Sequence, residues 1–215
     1  MRHIEIPPIS LIRPISSMLA IPHIGTPATP LFLAQTWQET PELTFAPATA
    51  HLHWSETHLH LQLEFTDNHI FSASTAHCQD LFRLGDTAEV FLMLPDAPHY
   101  YELHVSPHNH RTFFRWPLGA IDRVRCDGLS LDDFKENPDA FESSVQLLEN
   151  GWNIHFDIPH SLLDLANFEP GQRLRVSICR YDYRDLVTPP ILSTVSSHKV
   201  KNYHLTEDWL AAELV

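Results

Sequence analysis

In "ATAHLHWSETHLHLQLEFTD", residues 48–67, apolar side chains recur at every second position on both sides of a polar break. Period two belongs to a half-buried strand, because a helix would scatter the same set around its axis. Leu52 and Trp54 share one face of the first strand, and Leu59, Leu61, Leu63 and Phe65 share one face of the next. A turn at Glu56-Thr57 then sets His53 opposite His60 and His51 opposite Gln62 on the outer face. "SSVQLLENGWNIHFDIP", residues 143–159, repeats the arrangement with Trp152, Ile154, Phe156 and Ile158 inward. Its Asn150-Gly151 pair predicts the turn.

Further strands are expected in "GDTAEVFLML", "HYYELHVSP", "HRTFFRWP", "AIDRVRC" and "QRLRVSICRYDY", with an acidic loop at "DGLSLDDFKENPDAF". Pro159 suits the start of a short helical turn in "PHSLLDLA", and Thr206 is a candidate N-cap in "TEDWLAAELV". Many short strands with turn signals between them, and almost no helical period, predict an all-β chain folded as an antiparallel β-sandwich with short helical turns. The sandwich is expected over residues 48–215. Residues 1–47 form a proline-rich arm, in which "TWQETPELTF" reads as a loop ending in a short strand. Ile4, Ile6, Leu11, Ile12 and Leu19 make the arm too apolar for a free linker, so it should pack on the domain.

The 215 residues suffice for a self-standing core. The formal charge of −13 argues against nucleic acid and anionic membranes as partners, since both need a basic surface. Three cysteines without a CxxC pair argue against a disulfide framework. The first 25 residues lack a continuous apolar segment, so neither signal peptide nor membrane span is expected. The expected location is the cytoplasm, or outside the cell if a leader is missing from this start.

One strand carries an acid among apolar neighbours. In residues 85–94, Ala88, Val90 and Leu92 share one face and Thr87, Glu89, Phe91 and Met93 the other. The turn "PDAP" sets Glu89 opposite His104 and Phe91 opposite Glu102 on the next strand. A one-residue slip would bury Glu89 beside Leu103 and Val105 without a partner, at a cost of several kcal/mol. Glu89, Phe91, Met93, Glu102 and His104 thus share one face, half apolar and half acceptor. Such a patch suits a ligand with C–H faces and hydroxyl edges. It equally suits a local ion pair from Glu89 to His104, Arg111 or Arg115, contributing about 0.2–1 kcal/mol.

The order of "HLHWSETHLHLQLEFTDNHI", "GDTAEVFLML", "YYELHVSPHN" and "GWNIHFDIPHSLL", followed by "PGQRLRVSICRYD" and "NYHLTEDWLAAELV", resembles the family 9 carbohydrate-binding modules and their immunoglobulin-like or jelly-roll-like relatives. The resemblance implies a non-catalytic domain that binds a sugar or related small polar ligand on one sheet. It implies Glu89 as the carboxylate of the family's D-x-x-E-x-F strand, with Glu102, His104 and Ser106 on the adjoining strand. Arg83 stands where the family places its first stacking tryptophan. Tyr181, Tyr183 and Tyr203 are the candidates for the second, and Trp116 in "FFRWP" is a further stacking candidate.

Two rival readings stand beside this one. The first is a structural or protein-interaction domain whose site has degenerated. The second is a haem-binding electron-transfer domain using Met93 and His104. No nucleophile elbow, phosphate loop or dinucleotide fingerprint appears, and Glu89 with Glu102 is the lone glycosidase-like pair. No cofactor is required. Calcium is suggested by Asp67, Asp80 and Asp86, whose hard oxygen donors cluster in sequence. A transition metal is suggested by His53 and His60 facing each other across a hairpin. His108-Asn109-His110 forms a loop pair. Trp54 and Trp152 should lie in the core and Trp209 should plug the sandwich end. Trp37 is unplaced, and no protein partner is evident.

Overall fold

A computed structural model describes residues 18–215, so the expectations for Ile4, Ile6, Leu11 and Ile12 lie outside the described residues. The strands in chain order are β1 (Leu19–Ile21), β2 (Leu31–Phe32), β3 (Ala48–Trp54), β4 (His58–Thr66), β5 (Thr87–Met93), β6 (His99–Val105) and β7 (Arg111–Pro117). After helix α1 (Ala120–Asp127) come β8 (Lys135–Glu136), β9 (Glu142–Leu148), β10 (Gly151–Pro159), β11 (Arg173–Asp182), β12 (Ile191–Thr194) and β13 (Leu210–Leu214). They form two sheets. One runs β1-β13-β11-β5-β6-β7-β8 with β12 beside β11, and the other runs β2-β3-β4-β10-β9. The pairings are antiparallel apart from β1 with β13, which is parallel.

The alternating segments explain this arrangement. Trp54 of β3, Leu61, Leu63 and Phe65 of β4, and Trp152, Ile154 and Phe156 of β10 are all buried. They meet Ala88, Val90 and Leu92 of β5, Leu103 and Val105 of β6, and Val176 and Ile178 of β11 in one core. His53 pairs with His60 and His51 with Gln62 across the first hairpin, as the alternation requires. Glu89 pairs with His104 and Phe91 with Glu102 across the β5–β6 hairpin.

Several local expectations are overturned. "AIDRVRC" is helix α1, not a strand: Ile121 and Val124 are spaced at a helical interval and pack on one side, and left-handed Gly119 and Gly128 bound it. In the second strong hairpin Gly151 already pairs with Leu148, so the turn falls on Glu149-Asn150, one residue early. Gly151, at φ +156°, is needed as a strand residue instead, because a Cβ there would run into the Phe65 carbonyl. Thr206 caps nothing; it opens a single 3-10 turn, after which Leu210, Ala212 and Leu214 alternate inward along β13. Residues 36–45 contain no strand. The acidic loop holds β8 and two 3-10 turns, Leu131–Phe134 and Pro138–Ala140. Residues 19–21 and 31–32 of the arm contribute strands to both sheets.

The larger surprise is a second core on the outer face of the larger sheet. Phe91, Tyr100, Phe114, Trp116, Cys179, Tyr203 and Trp209 are buried there together, with Ile121, Val124, Leu131 and Phe134 packed against them. Alternation marked this face as distinct from the inner core. It could not show that α1, the 3-10 turn at Leu131–Phe134 and the segment approaching β13 fold back over it.

Candidate functional site

Three adjacent positions on β5 and β6 bring Glu89, Glu102 and His104 together, with donor atoms within 4.8 Å of one another. His104 Nε2 lies 2.7 Å from Glu102 Oε1 and 3.1 Å from Glu89 Oε1. The Trp116 indole N–H donates to Glu102 Oε2 at 2.5 Å. The next face position along β7 from Phe114 is Trp116, which is why the indole, two strands from Glu89, reaches the Glu102 carboxylate on the strand between them. The cluster is deep: Glu89 is 2%, Glu102 4% and His104 0% exposed. The acceptor half of the patch is thus out of solvent.

The two acids differ in their partners, and so in their protonation. Glu102 pays for burial but is held below the usual carboxylate range by His204, His104 and the Trp116 N–H. Among the described residues Glu89 accepts no hydrogen bond beyond its contact with the shared His104 nitrogen, and burial, opposed by His104 and reinforced by Glu102, pushes it up to about 8. Burial would lower His104, but Glu89 and Glu102 overcome it and raise the imidazole. The other ring nitrogen, Nδ1, is buried without a partner among the described residues. Glu102 is therefore the acid whose anion the trio favours, whereas Glu89 and His104 each hold their protons more strongly than in the unfolded chain.

Above this trio lies a partly exposed aromatic rim. Phe82 packs edge-on against His104 at 6.0 Å between ring centroids and against Tyr181 at 5.9 Å. Tyr181 stacks with Tyr183, whose hydroxyl donates to the Phe82 carbonyl. Tyr181 pairs with Thr87 and Cys179 with Glu89, so Tyr181 stands on the same face, one step along from Glu89. The Arg83 guanidinium is exposed over the Phe82 ring, at 5.2 Å from its centroid.

No protein-family model matches the chain, and no curated protein matches it. Solved structures do. A proposed carbohydrate-binding protein from Bacteroides uniformis superposes with a TM-score of 0.71 at 8% identity, over 92% of this chain and 97% of that one. A family 9 carbohydrate-binding module from Caldicellulosiruptor kristjanssonii, in complex with glucose, gives 0.62 at 13% identity, over 93% and 96% of the two chains. The same module with cellotriose gives 0.60 at 14% identity, over 92% and 93%. This chain has the family 9 carbohydrate-binding module fold. At such identities the likeness speaks for the sandwich and its topology.

Within that fold the sequence-predicted residues separate. Glu89, Glu102 and His104 meet, and Trp116 joins them through Glu102. Trp116 is 1% exposed and stacks on Phe114 and Phe134, so it is a second-core residue and not an exposed stacking platform. Trp209 likewise packs on Phe91 and Tyr100 in the second core instead of plugging the sandwich end, and Trp37 leans on its edge. Ser106 lies apart, accepting from Ser74 Oγ and the His110 N–H at the β6–β7 turn. Arg83 and Tyr181 sit on the rim. Met93 shares the second core's border, but His104 already gives Nε2 to the two acids, which leaves that nitrogen unavailable to haem iron.

The expected calcium donors are also redistributed. Asp67 and Asp86 meet Asp182, whereas Asp80 pairs with Lys135 at 2.9 Å elsewhere. The buried Arg180 enters this acidic cluster, 2.9 Å from Asp67 Oδ2 and 3.2 Å from Asp182 Oδ2. Both oxygens of Asp86 accept backbone N–H groups, from Phe71 and Tyr183, and Asp67 Oδ1 accepts from the His69 N–H. Five of the six carboxylate oxygens thus meet a guanidinium or a backbone donor. Alternation carried a signal for this: Arg180 stands at an inward position of β11, where an arginine requires buried acceptors. His53 and His60 face each other as expected, yet His53 Nε2 meets the Thr26 carbonyl, and His60 meets Asp157 and Ser55 through its two nitrogens.

Proposed function

We propose that this chain is a non-catalytic binding domain for a sugar or a related small polar ligand, with Glu89 as its central hydrogen-bonding group. The observation that carries this reading is the state of Glu89. Its carboxyl is nearly buried, short of donors, and lies beside the partly exposed rings of Phe82, Tyr181 and Tyr183. A carboxyl poised near neutral pH can donate to one hydroxyl and accept from another, and aromatic rings take the C–H face of a sugar. The rings stand in for the tryptophan that Arg83 replaces. The fold is one whose solved members include modules in complex with glucose and with cellotriose.

The absence of catalysis in this reading rests on packing. Glu89 and Glu102 touch the same imidazole nitrogen, and both are buried. A glycosidic oxygen flanked by two acids needs them about 5–9.5 Å apart with the bond between them. His104 fills that space.

The second reading, a structural or protein-interaction domain with a degenerate site, is favoured by the closure of the second core over Phe91, Glu102 and Trp116. A titration of isotope-labelled protein with glucose and cellotriose, followed by amide chemical shifts, separates the two. Ligand binding should move Phe82, Glu89, Tyr181 and Tyr183 first. An unchanged spectrum at millimolar sugar would leave the structural reading.

A further inference from the structure

The β6–β7 turn, a few residues beyond His104, borders a groove of about 630 Å³. His77, His108, Asn109, His110 and Arg111 line one side, with Asp139, Glu142 and Ser143 across it. The groove is held open by its own bonds. Asn109 and Ser143 exchange two hydrogen bonds, the side-chain amide to the Ser143 carbonyl at 3.0 Å and the Ser143 hydroxyl to Asn109 Oδ1 at 2.6 Å. Arg111 donates to the Phe141 carbonyl and to Asp139 Oδ1 at 2.7 and 2.8 Å. Asn109 adopts a left-handed conformation, φ +59°, which turns the chain between the two flanking histidines.

Each of the three imidazoles is anchored by Nδ1. His108 Nδ1 lies 3.3 Å from the Ser74 carbonyl, and that carbonyl can only accept, so His108 carries its proton on Nδ1. His110 Nδ1 lies 3.0 Å from Ser74 Oγ, whose single proton also has Ser72 Oγ and Ser106 Oγ as acceptors; given to Ser106, it leaves His110 Nδ1 as the donor. Both rings then present a bare Nε2. His77 is the reverse: its Nδ1 accepts the Arg111 backbone N–H at 2.9 Å, so its proton sits on Nε2. An imidazole whose Nδ1–H is tied to an oxygen and whose Nε2 is free is the form that ligates metal. The His108 and His110 ring centroids are 5.9 Å apart. Two imidazoles sharing one ion through bonds of about 2.1 Å place their centroids roughly 5–6 Å apart.

We propose that this groove binds one divalent transition-metal ion of the zinc type through His108 Nε2 and His110 Nε2. Two ring ligands leave the remaining positions of the ion to water. His77, with its Nε2–H, donates to a ligand of the ion instead of binding it. Glu142, exposed and without an ion-pair partner among the described residues, supplies negative charge across the groove. The site is independent of sugar binding at Glu89.

Calorimetric titration of the metal-free chain with Zn2+, repeated with Co2+ under visible absorption, tests the assignment. The tightest binding event should have a stoichiometry of one. His108→Ala and His110→Ala should each weaken it at least tenfold, with melting temperatures close to wild type because both side chains lie at the surface. His77→Ala should stay within threefold, and so should Cys78→Ser and His53→Ala. A His108→Ala/His110→Ala double variant that binds Zn2+ as tightly as wild type would overturn the proposal. So would a tenfold loss in Cys78→Ser or His77→Ala with none in the other two.

Discussion

His104 and Glu89 stand directly opposite each other on β6 and β5, and the imidazole Nε2 lies 3.1 Å from the carboxyl Oε1. The same nitrogen is closer to Glu102, at 2.7 Å, so the proton available to Glu89 is a shared one. The two acids are thereby unequal: one is fully provided with donors, and the other keeps capacity for a further partner.

Glu89 and His104 both have folded-state pKa values raised above those of the unfolded chain. A raised value means that the folded protein binds the extra proton. That stability is fully present below the unfolded pKa and is lost as pH rises through the folded one. For Glu89 the window runs from about pH 4.5 to about pH 8. Glu89→Gln removes the titrating group. Relative to the variant, the wild type should lose stability across this window, by up to about 1.4 kcal/mol per pH unit. Denaturant melts of both proteins at pH 5, 6.5 and 8 give the slope. A difference independent of pH would contradict the shared-proton state.

Trp116 and Trp152 both lie in packed cores, though only Trp152 reads so from its strand. Trp152→Ala and Trp116→Ala should each cost about 3–5 kcal/mol. Trp116→Phe keeps much of the stacking but strips Glu102 of its indole donor. It should cost about 1.5–3 kcal/mol, because the hydrogen bond lost is one to a charged group. A Trp116→Ala loss far smaller than that of Trp152→Ala would place the indole at an exposed edge.

Arg180 acts as the cation of the Asp67, Asp86 and Asp182 cluster. Arg180→Met leaves buried carboxylates without it, and should cost about 3–5 kcal/mol. Calcium or EGTA added to the wild type should leave the melting temperature unchanged, because the acceptor oxygens are already engaged. A clear upward shift with calcium would show that the ion displaces the guanidinium.

Cys78 and Cys126 are exposed and Cys179 is buried, all as free thiols. A reducing agent should therefore leave the cooperative melt unmoved. A drop of about 10 °C, equivalent to about 2.5–5 kcal/mol in a domain this size, would reveal a crosslink.

The sandwich was legible because alternation fixes which face of a strand is buried, and register follows from it. The β3–β4 and β5–β6 pairings could be written down from residues alone, including Glu89 opposite His104. Alternation says nothing of what covers the outer face. The burial of Glu102, Trp116 and Trp209 depends on helix α1, whose period is a stripe of only two residues, and on the irregular, polar segment before β13. Phe82 was invisible as a rim residue for the same reason, since it sits in a single 3-10 turn between strands. The "AIDRVRC" error came from charged residues that hid a two-residue helical stripe. The Arg180 cluster left a signal, an arginine at an inward strand position, and Asp182 two residues on is the partner it called for.

The central claim is that Glu89 holds a ligand. Calorimetric titration of mono- and oligosaccharides, glucose and cellotriose among them, into wild type and Glu89→Leu tests it most directly. Leucine has similar volume and no hydrogen-bonding group, and replacing a buried acid with an apolar side chain is often neutral or stabilising. The account predicts saturable binding of at least one sugar by the wild type at millimolar concentration or below, and at least tenfold weaker binding by a variant that melts no lower. A wild type that binds none of them, or a Glu89→Leu variant that binds equally well, would contradict it.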